Sequence, residues 1–187
     1  MPARNGVFLG SASAFSIPQT RLLEVLGQVH EIFGPWPRGI ATFYEPEHAP
    51  DRRVKDYRRL FEAGLSCVTL GLETKHAPLR KFWGKDAKLK RFVDAVYGLK
   101  EAGFQCALTV LVGMEPGEFS AEHRTDTVAL LRTLPLEERD IVYLSPDVLK
   151  SRSEAVKSAV ETFRMELRQP LRAKVSLYDF NRFRYFS

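Results

Sequence analysis

Glu73 and Thr74 are the residues whose types and position best suit ligand binding. They close the segment LSCVTLGLETKH, residues 65–76, in which large branched side chains alternate with small or polar ones. A period of two predicts a β-strand. A carboxylate and a hydroxyl at the carboxyl end of such a strand stand where α/β sheets place their ligands. We therefore expect Glu73 and Thr74 to face a ligand site.

The segment QCALTVLVG, residues 105–113, has the same kind of pattern. Ala107, Thr109, Leu111 and Gly113 share one face of the predicted strand, and this face carries the smaller side chains. Small or polar faces on two neighbouring strands favour a wide, curved sheet that surrounds a ligand. The two segments together are the core of the predicted site.

Purely structural explanations remain open for the same residues. Glu73 could form an ion pair with a nearby basic side chain, and the candidates are Lys75, Arg80 and Lys85. Gly113 could serve only as the turn that ends a strand. No residue of the chain has a pattern that assigns it as a catalytic acid, base or nucleophile.

The elements that must position these residues alternate regularly along the chain. The predicted strands are 7–10, 39–44, 65–74, 105–113, 140–145 and 174–178, and helices of period 3.6 separate them. Ser16 and Ser120 are predicted to cap two of these helices. The alternation predicts a mainly parallel α/β sheet with right-handed crossovers. An open doubly wound sheet and part of a barrel both fit this order.

The composition is typical of one globular domain, which we expect to span residues 1–187 with an aromatic tail at about 179–187. Of the 187 residues, 44% are hydrophobic and 27% are charged. The chain has no apolar run long enough to cross a membrane and no signal-peptide pattern, so the expected location is the cytoplasm. The net charge of +5 suggests a basic nucleic-acid-binding domain as a further alternative. It is the weakest of the alternatives, because the basic residues are dispersed along the sequence.

Cys67 and Cys106 are the two cysteines of the chain, and both fall inside predicted strands. We interpret them as small core side chains. Two cysteines cannot form a four-cysteine zinc site or supply three thiolates to an iron–sulfur cluster. We therefore predict no metal ligands in these residues.

Several motifs together resemble the radical S-adenosylmethionine (radical SAM) superfamily. GLET at residues 71–74 is similar to the motif at the end of that family's fourth strand, and VFLGSAS at 7–13 is similar to the segment after its second strand. TVLVGMEPGE at 109–118 resembles the fifth-strand segment, and DIVYLSP at 140–146 falls at the expected spacing. The closing KVSLYDFNRF, residues 174–183, resembles one bacterial branch of the superfamily. The likeness covers nearly the whole chain.

The resemblance implies a partial TIM-like (β/α) barrel with about six mostly parallel strands and five main helices, in which the first strand of the family barrel is missing. It also implies S-adenosylmethionine as a cofactor. Thr74 would belong to the cofactor site together with Glu73. The implied contacts are Glu73 with the ribose, Leu111 and Gly113 with adenine, Ser145 beside adenine through its backbone, and Gly10 and Ser11 with the methionine amino group.

The sequence departs from the family at the segment that binds its 4Fe–4S cluster. The CxxxCxxC loop that follows the family's first strand is absent from these residues. Lys75 stands where the family usually has glycine, and Ser11 and Ser13 replace an acidic group. The resemblance thus implies a radical SAM protein in an incomplete or cluster-less version. By itself the chain is expected to be inactive, and cluster chemistry would need a three-cysteine segment outside it.

A non-enzymatic binding or assembly domain descended from the same barrel is the main alternative. Its motivation is the missing first strand, which would leave an open sheet edge near residues 7–10. Unpaired strand edges attract other chains, so this alternative predicts self-association through that edge. The substrate and reaction of a longer radical enzyme cannot be read from these residues.

Overall fold

A computed structural model describes residues 6–10, 14–34, 39–85, 89–146, 153–168 and 171–178. These residues form six strands in one open, parallel sheet, together with six α-helices. The strands are β1 Val7–Leu9, β2 Ile40–Tyr44, β3 Leu65–Glu73, β4 Gln105–Val112, β5 Ile141–Pro146 and β6 Lys174–Leu177. The helices are α1 Gln19–Phe33, α2 Val54–Glu62, α3 Ala77–Phe82, α4 Leu89–Glu101, α5 Ser120–Thr133 and α6 Glu154–Leu167.

The hydrogen-bonded order of the strands follows the chain, from β1 to β6. Val7 pairs with Ile40 at the start of β1, and Ile141 pairs with Lys174 at the start of β5. Val68, Leu70 and Leu72 are fully buried on one face of β3, as the predicted period of two requires, although Thr69 on the other face is also buried. The predicted α/β fold with a partial-barrel sheet is confirmed.

Two of the predicted helix caps are wrong. Ser16 lies in a 3₁₀ turn, and α1 begins at Gln19 without a side-chain cap. Ser120 is the first residue of α5 itself, whose N-cap position is taken by Phe119. Ser16 is the last residue of one 3₁₀ turn and Ser120 directly follows another, so the chain already curves before each α-helix begins.

The chain divides into two compact units, residues 1–71 with 87–107 and residues 72–86 with 108–187. The expectation of one domain over 1–187 stays a prediction, and the predicted aromatic tail at 179–187 lies outside the described residues. Along the described chain, no helix combines the length and apolar character needed to span a bilayer.

The first unit contains an aromatic cluster around Phe15, which is fully buried. Its ring centroid lies 4.3 Å from that of Tyr44 and 6.0 Å from that of Tyr57. The two tyrosine hydroxyls are 3.1 Å apart, within hydrogen-bond distance. The guanidinium of Arg52 lies 4.9 Å from the centre of the Phe15 ring, where its charge interacts with the π face. We call these residues, together with Phe104, the aromatic cluster.

The second unit packs α5 against α6. Arg124 Nε donates to Glu166 Oε1 at 2.8 Å, and Arg132 Nη2 donates to the Glu166 carbonyl at 2.6 Å. The buried His123 ring of α5 contacts the Phe163 ring of α6, with centroids 5.2 Å apart. These contacts fix α5 beside the turn that follows β3, where the candidate site lies.

Candidate functional site

The turn at the carboxyl end of β3 has a backbone conformation that is rare for its sequence. Among the described residues, Glu73 is the one residue other than glycine with a positive φ, at 61°. The Thr74 N–H donates to the Leu72 carbonyl at 2.7 Å, which closes a three-residue γ-turn around Glu73. A non-glycine residue in this region costs on the order of 1–3 kcal/mol and persists where its surroundings enforce it.

The Glu73 carboxylate is held by one neighbouring cation. Lys85 Nζ donates to Glu73 Oε1 at 3.2 Å, and the two side chains are 27% and 19% exposed, respectively. Of the three cations that the sequence left open, Lys85 is therefore the observed partner. Glu73 Oε2 has no hydrogen-bond partner in the part of the chain that the structure describes. This partly exposed oxygen can accept a hydrogen bond from a ligand hydroxyl or amine.

Thr74 is fully buried, and its hydroxyl is used within the protein. Its Oγ1 lies 2.7 Å from His123 Nδ1 and accepts the N–H of His76 at 3.0 Å. Thr74 can therefore contribute to a ligand site by holding the turn in which Glu73 stands. Its own expected contact with a cofactor stays a prediction.

His123 connects the ends of two neighbouring strands. Its Nε2 lies 2.8 Å from the carbonyl oxygen of Leu111, near the end of β4. Since a carbonyl only accepts, Nε2 carries the proton, and Nδ1 of the neutral ring accepts from the Thr74 hydroxyl. Burial lowers the pKa of His123 and outweighs the hydrogen bond to Leu111, so the ring is neutral at pH 7.

Thr127 lies one helical turn beyond His123 in α5, and its hydroxyl also contacts the turn that follows β3. The Lys75 N–H donates to Thr127 Oγ1 at 3.0 Å. The same oxygen lies 3.4 Å from His123 Nδ1 and 3.5 Å from Thr74 Oγ1. We call Thr74, His123 and Thr127 the threonine–histidine network.

Charged side chains brace the turn from outside this network. The buried Arg80 donates from Nη1 to the carbonyls of Thr74 at 3.2 Å and Leu72 at 3.4 Å. His76 Nδ1 lies 3.0 Å from Asp126 Oδ2, and Lys75 Nζ lies 3.9 Å from Asp126 Oδ1. The turn is therefore fixed through its backbone as well as through its side chains.

The other predicted site residues are placed as follows. Leu111 is partly exposed, and its carbonyl is used by His123. Ser145 is 3% exposed at the end of β5. Gly113 has a φ of 75°, and a Cβ at this position would lie 2.8 Å from Val156 Cγ2, so the turn and the contact with α6 both require glycine. Together with Glu73 and Thr74, these three residues belong to the second compact unit.

The predicted contacts for the methionine amino group involve the first unit. Gly10 follows β1 in that unit, and Ser11 lies outside the described residues. The adenine, ribose and amino-group contacts of all these positions stay predictions.

Glu115 has an unsatisfied polar atom that the sequence did not single out. Its Oε2 is buried and has no hydrogen-bond partner among the described residues. The residue follows β4 in the loop after Gly113, in the same unit as Glu73. A buried carboxylate oxygen without a donor is costly, so a ligand that offers O–H or N–H groups would stabilise it. Carboxylate oxygens of this kind can accept hydrogen bonds from the hydroxyl or amino groups of a ligand.

The residues present do not fit the iron–sulfur cluster of the radical SAM superfamily. Cys67 is in β3, and Cys106 is fully buried in β4. Three thiolates are required, and the chain has two cysteines. Within the described ranges, no three His, Cys, Asp or Glu side chains are grouped so that they could hold a metal ion.

Several solved structures share the fold of this chain. The chain superposes on the archaeal Methanocaldococcus infernus Elp3 with a TM-score of 0.62 at 12% identity, covering 94% of this chain and 51% of that one. It superposes on a domain of pyruvate-formate lyase-activating enzyme from Bacteroides vulgatus with a TM-score of 0.60 at 12% identity, covering 92% and 98%. For methylornithine synthase (PylB) the TM-score is 0.56 at 14% identity, covering 92% and 56%.

These comparisons establish the fold alone, because the identities are low. The chain spans about half the length of Elp3 and PylB, and nearly all of the activating-enzyme domain. No protein-family profile and no curated protein sequence matches the chain.

Sequence reasoning missed His123 and Thr127, and it named Arg80 only as a possible ion-pair partner of Glu73. His123 and Thr127 are fully buried, and Arg80 is 5% exposed. A signal was present in α5, since His123, Thr127 and Leu131 are four residues apart and share one helix face. Polar residues on an otherwise apolar face indicate a buried hydrogen-bond network.

Proposed function

We propose that this chain is a radical SAM-type partial barrel that binds S-adenosylmethionine at the carboxyl ends of its strands. The observation that carries the proposal is the strained turn at Glu73, which leaves a carboxylate oxygen open to a ligand. Backbone strain of this kind concentrates at functional sites. The fold supports the choice of ligand, since carboxyl strand ends are where such sheets bind their ligands.

In this proposal Glu73 accepts hydrogen bonds from the ribose hydroxyls. Leu111 and Gly113 pack against adenine, and Ser145 lies beside it. Glu115 offers a second carboxylate oxygen for a donor of the ligand. The contacts of Gly10 and Ser11 with the methionine amino group stay predictions from the family resemblance. These assignments come from the resemblance to the family and from the unpartnered oxygens at the strand ends.

We propose no cluster chemistry for these 187 residues. In the radical SAM superfamily, a 4Fe–4S cluster delivers the electron that cleaves S-adenosylmethionine. The two cysteines of this chain do not fit that cluster, so the full reaction would need a three-cysteine segment supplied by a longer protein. The contribution of this chain is to bind and orient the cofactor.

Calorimetric titration and thermal unfolding with S-adenosylmethionine test the proposal. A ligand at 100 times its Kd that binds only the folded chain stabilises it by about 2.7 kcal/mol. For a chain of this size the midpoint should rise by roughly 5–11 °C. S-adenosylhomocysteine should also bind, because it keeps the ribose and adenine. A folded protein that shows neither heat nor a thermal shift with either compound would rule out the proposal.

Self-association is a second candidate property, and the position of β1 favours it. β1 stands at one end of the strand order and pairs with β2 alone among the described strands. A strand at the edge of a sheet can add a strand from another copy of the chain. Light scattering should then give a mass above the 21.3 kDa of one chain, increasing with concentration. A monomer at every concentration would contradict this property and leave the cofactor proposal intact.

A further inference from the structure

Two residues of α5 direct their polar atoms to the turn that presents Glu73. We propose that His123 and Thr127 are positioning residues: they hold the positive-φ turn in place and thereby set the affinity of the Glu73 carboxylate for a ligand. This inference rests on the proposed function, since it concerns the same site. Neither residue is expected to touch the ligand itself, because both are fully buried.

The hydrogen bonds support this assignment because they leave α5 and end on the turn. His123 Nδ1 binds the Thr74 hydroxyl at 2.7 Å, and Thr127 Oγ1 accepts the Lys75 N–H at 3.0 Å. Thr74 and Lys75 directly follow Glu73. A side chain that served only the core could be apolar at either position, whereas here His123 Nδ1 and Thr127 Oγ1 each satisfy a group of the turn.

The hydrogen bond from His123 to β4 fixes the position of the turn relative to that strand. Nε2 donates to the Leu111 carbonyl at 2.8 Å, so the ring spans from β4 to the turn after β3. Two aromatic rings restrict its motion, with centroid distances of 5.2 Å to Phe163 and 6.2 Å to Trp83. The turn is thus tied to the end of β4 through a rigid, aromatic side chain.

This arrangement explains why a glutamate can occupy a conformation that favours glycine. Strain in a turn persists when neighbouring contacts over-determine its geometry. Thr74 is held through its hydroxyl, its N–H and its carbonyl, by His123, Leu72 and Arg80 respectively. Loss of the α5 contacts should let the turn relax and move the carboxylate away from its binding position.

Thr127→Val and Thr127→Ser are the variants that test the inference. Valine keeps the shape and removes the hydroxyl, whereas serine keeps the hydroxyl. Thr127→Val should weaken S-adenosylmethionine binding by about ten-fold, and Thr127→Ser should restore most of the affinity. Thr133→Val makes the same change at an exposed position of α5 and should leave the affinity unchanged.

A double-variant cycle separates positioning from a general structural effect. If Thr127 acts through the Glu73 carboxylate, Thr127→Val should have little further effect on binding in a Glu73→Gln background. Equal fold-losses in both backgrounds would overturn the inference. So would unchanged affinity in Thr127→Val.

Measurements without ligand keep the inference testable if the proposed function fails. Nitrogen NMR of the His123 ring should show the Nε2–H tautomer at pH 7, and the Lys75 amide should exchange with deuterium faster in Thr127→Val than in Thr127→Ser. An Nδ1–H tautomer, or equal exchange in the two variants, would overturn the proposed network. Absence of S-adenosylmethionine binding in the wild type, with these local signatures present, would instead refute the function alone.

Discussion

The aromatic cluster and the threonine–histidine network each include a residue at the carboxyl end of a strand, Tyr44 of β2 and Thr74 after β3, but they differ in which polar atoms they leave available to a ligand. Tyr44 ends β2 with its hydroxyl paired to that of Tyr57, and its ring is packed on Phe15. The network after β3 also satisfies its buried hydroxyls, yet it holds a glutamate with positive φ and an open carboxylate oxygen. The aromatic cluster therefore has the features of a structural core, and the threonine–histidine network has those of a ligand-binding site.

The comparison also separates two uses of buried polar groups. In the aromatic cluster, burial is the main cause that raises the pKa of Tyr57, with a further contribution from Tyr44, so the Tyr57 hydroxyl stays neutral. In the network, burial lowers the pKa of His123, which keeps that ring neutral as well. Uncharged polar groups are favoured in both regions because both are buried. Of the two regions, the threonine–histidine network is the one whose hydrogen bonds hold a strained backbone turn. Stability and ligand affinity should therefore respond to different substitutions.

Phe15→Ala should cause the largest loss of stability. Removing a fully buried phenylalanine from a packed core costs about 3–5 kcal/mol, because it leaves a cavity among the surrounding rings. The free energy of unfolding in urea measures the effect. Phe82→Ala is the matched control at a position that is 63% exposed, and it should change the free energy by less than about 0.5 kcal/mol. Similar values for the two variants would contradict the assignment of the core.

Tyr57→Phe and Thr127→Val should have comparable costs in stability and different effects on binding. Each leaves a buried partner without its hydrogen bond, at a cost of about 1–3 kcal/mol. Only Thr127→Val should weaken S-adenosylmethionine binding, because Tyr57 belongs to the aromatic cluster. Unfolding curves and calorimetric titrations of the two purified variants give both quantities. A similar loss of affinity in Tyr57→Phe would remove the distinction between the regions.

Glu73→Val and Glu73→Gly isolate the backbone strain of the turn. Both remove the carboxylate and its ion pair with Lys85, but a β-branched residue is strongly disfavoured at positive φ. The valine variant should be less stable than the glycine variant by about 1–2 kcal/mol. Urea unfolding of both variants measures the difference. Equal stability would mean that residue 73 does not hold a positive φ in solution.

The pH dependence of stability should reveal the buried His123. Its pKa is lowered in the folded chain, whereas the unfolded value is about 6.5. Below about pH 6.5 the unfolded chain takes up a proton that folded His123 does not, so stability falls as the pH decreases, by up to about 1.4 kcal/mol per pH unit for one group. Nearby Glu115 opposes the lowered pKa, while His76 and Arg124 reinforce it.

His123→Gln should reduce this acid sensitivity, which urea unfolding at several pH values between 5 and 7.5 will measure. Glutamine keeps a donor for the Leu111 carbonyl and does not titrate. An unchanged slope in this variant would show that another group is responsible.

The strands could be predicted from the sequence because their patterns are local. Alternation identified β3 and β4, and glycines at positions 64 and 103, both with positive φ, end helices as expected. The predictions of the helix caps failed because Ser16 ends one 3₁₀ turn and Ser120 directly follows another. Local sequence does not reveal where such a turn gives way to an α-helix.

The candidate site was predictable only in part. Glu73 and its cationic neighbours were visible in the sequence, but the choice of Lys85 depends on how α3 returns the chain to β3. The positive φ of Glu73 has no local signal, since such positions usually carry glycine. His123 and Thr127 are about 50 residues from the turn that they hold, a separation that local patterns do not address.

The affinity of S-adenosylmethionine for Glu73→Gln tests the central claim most directly. This variant keeps the size of the side chain and removes its charge, and Glu161→Gln makes the same change at an exposed position of α6. The account predicts that Glu73→Gln binds at least about ten-fold more weakly than the wild type, and that Glu161→Gln binds equally well. Wild-type affinity in a correctly folded Glu73→Gln protein would contradict the claim that this turn presents a carboxylate to the cofactor.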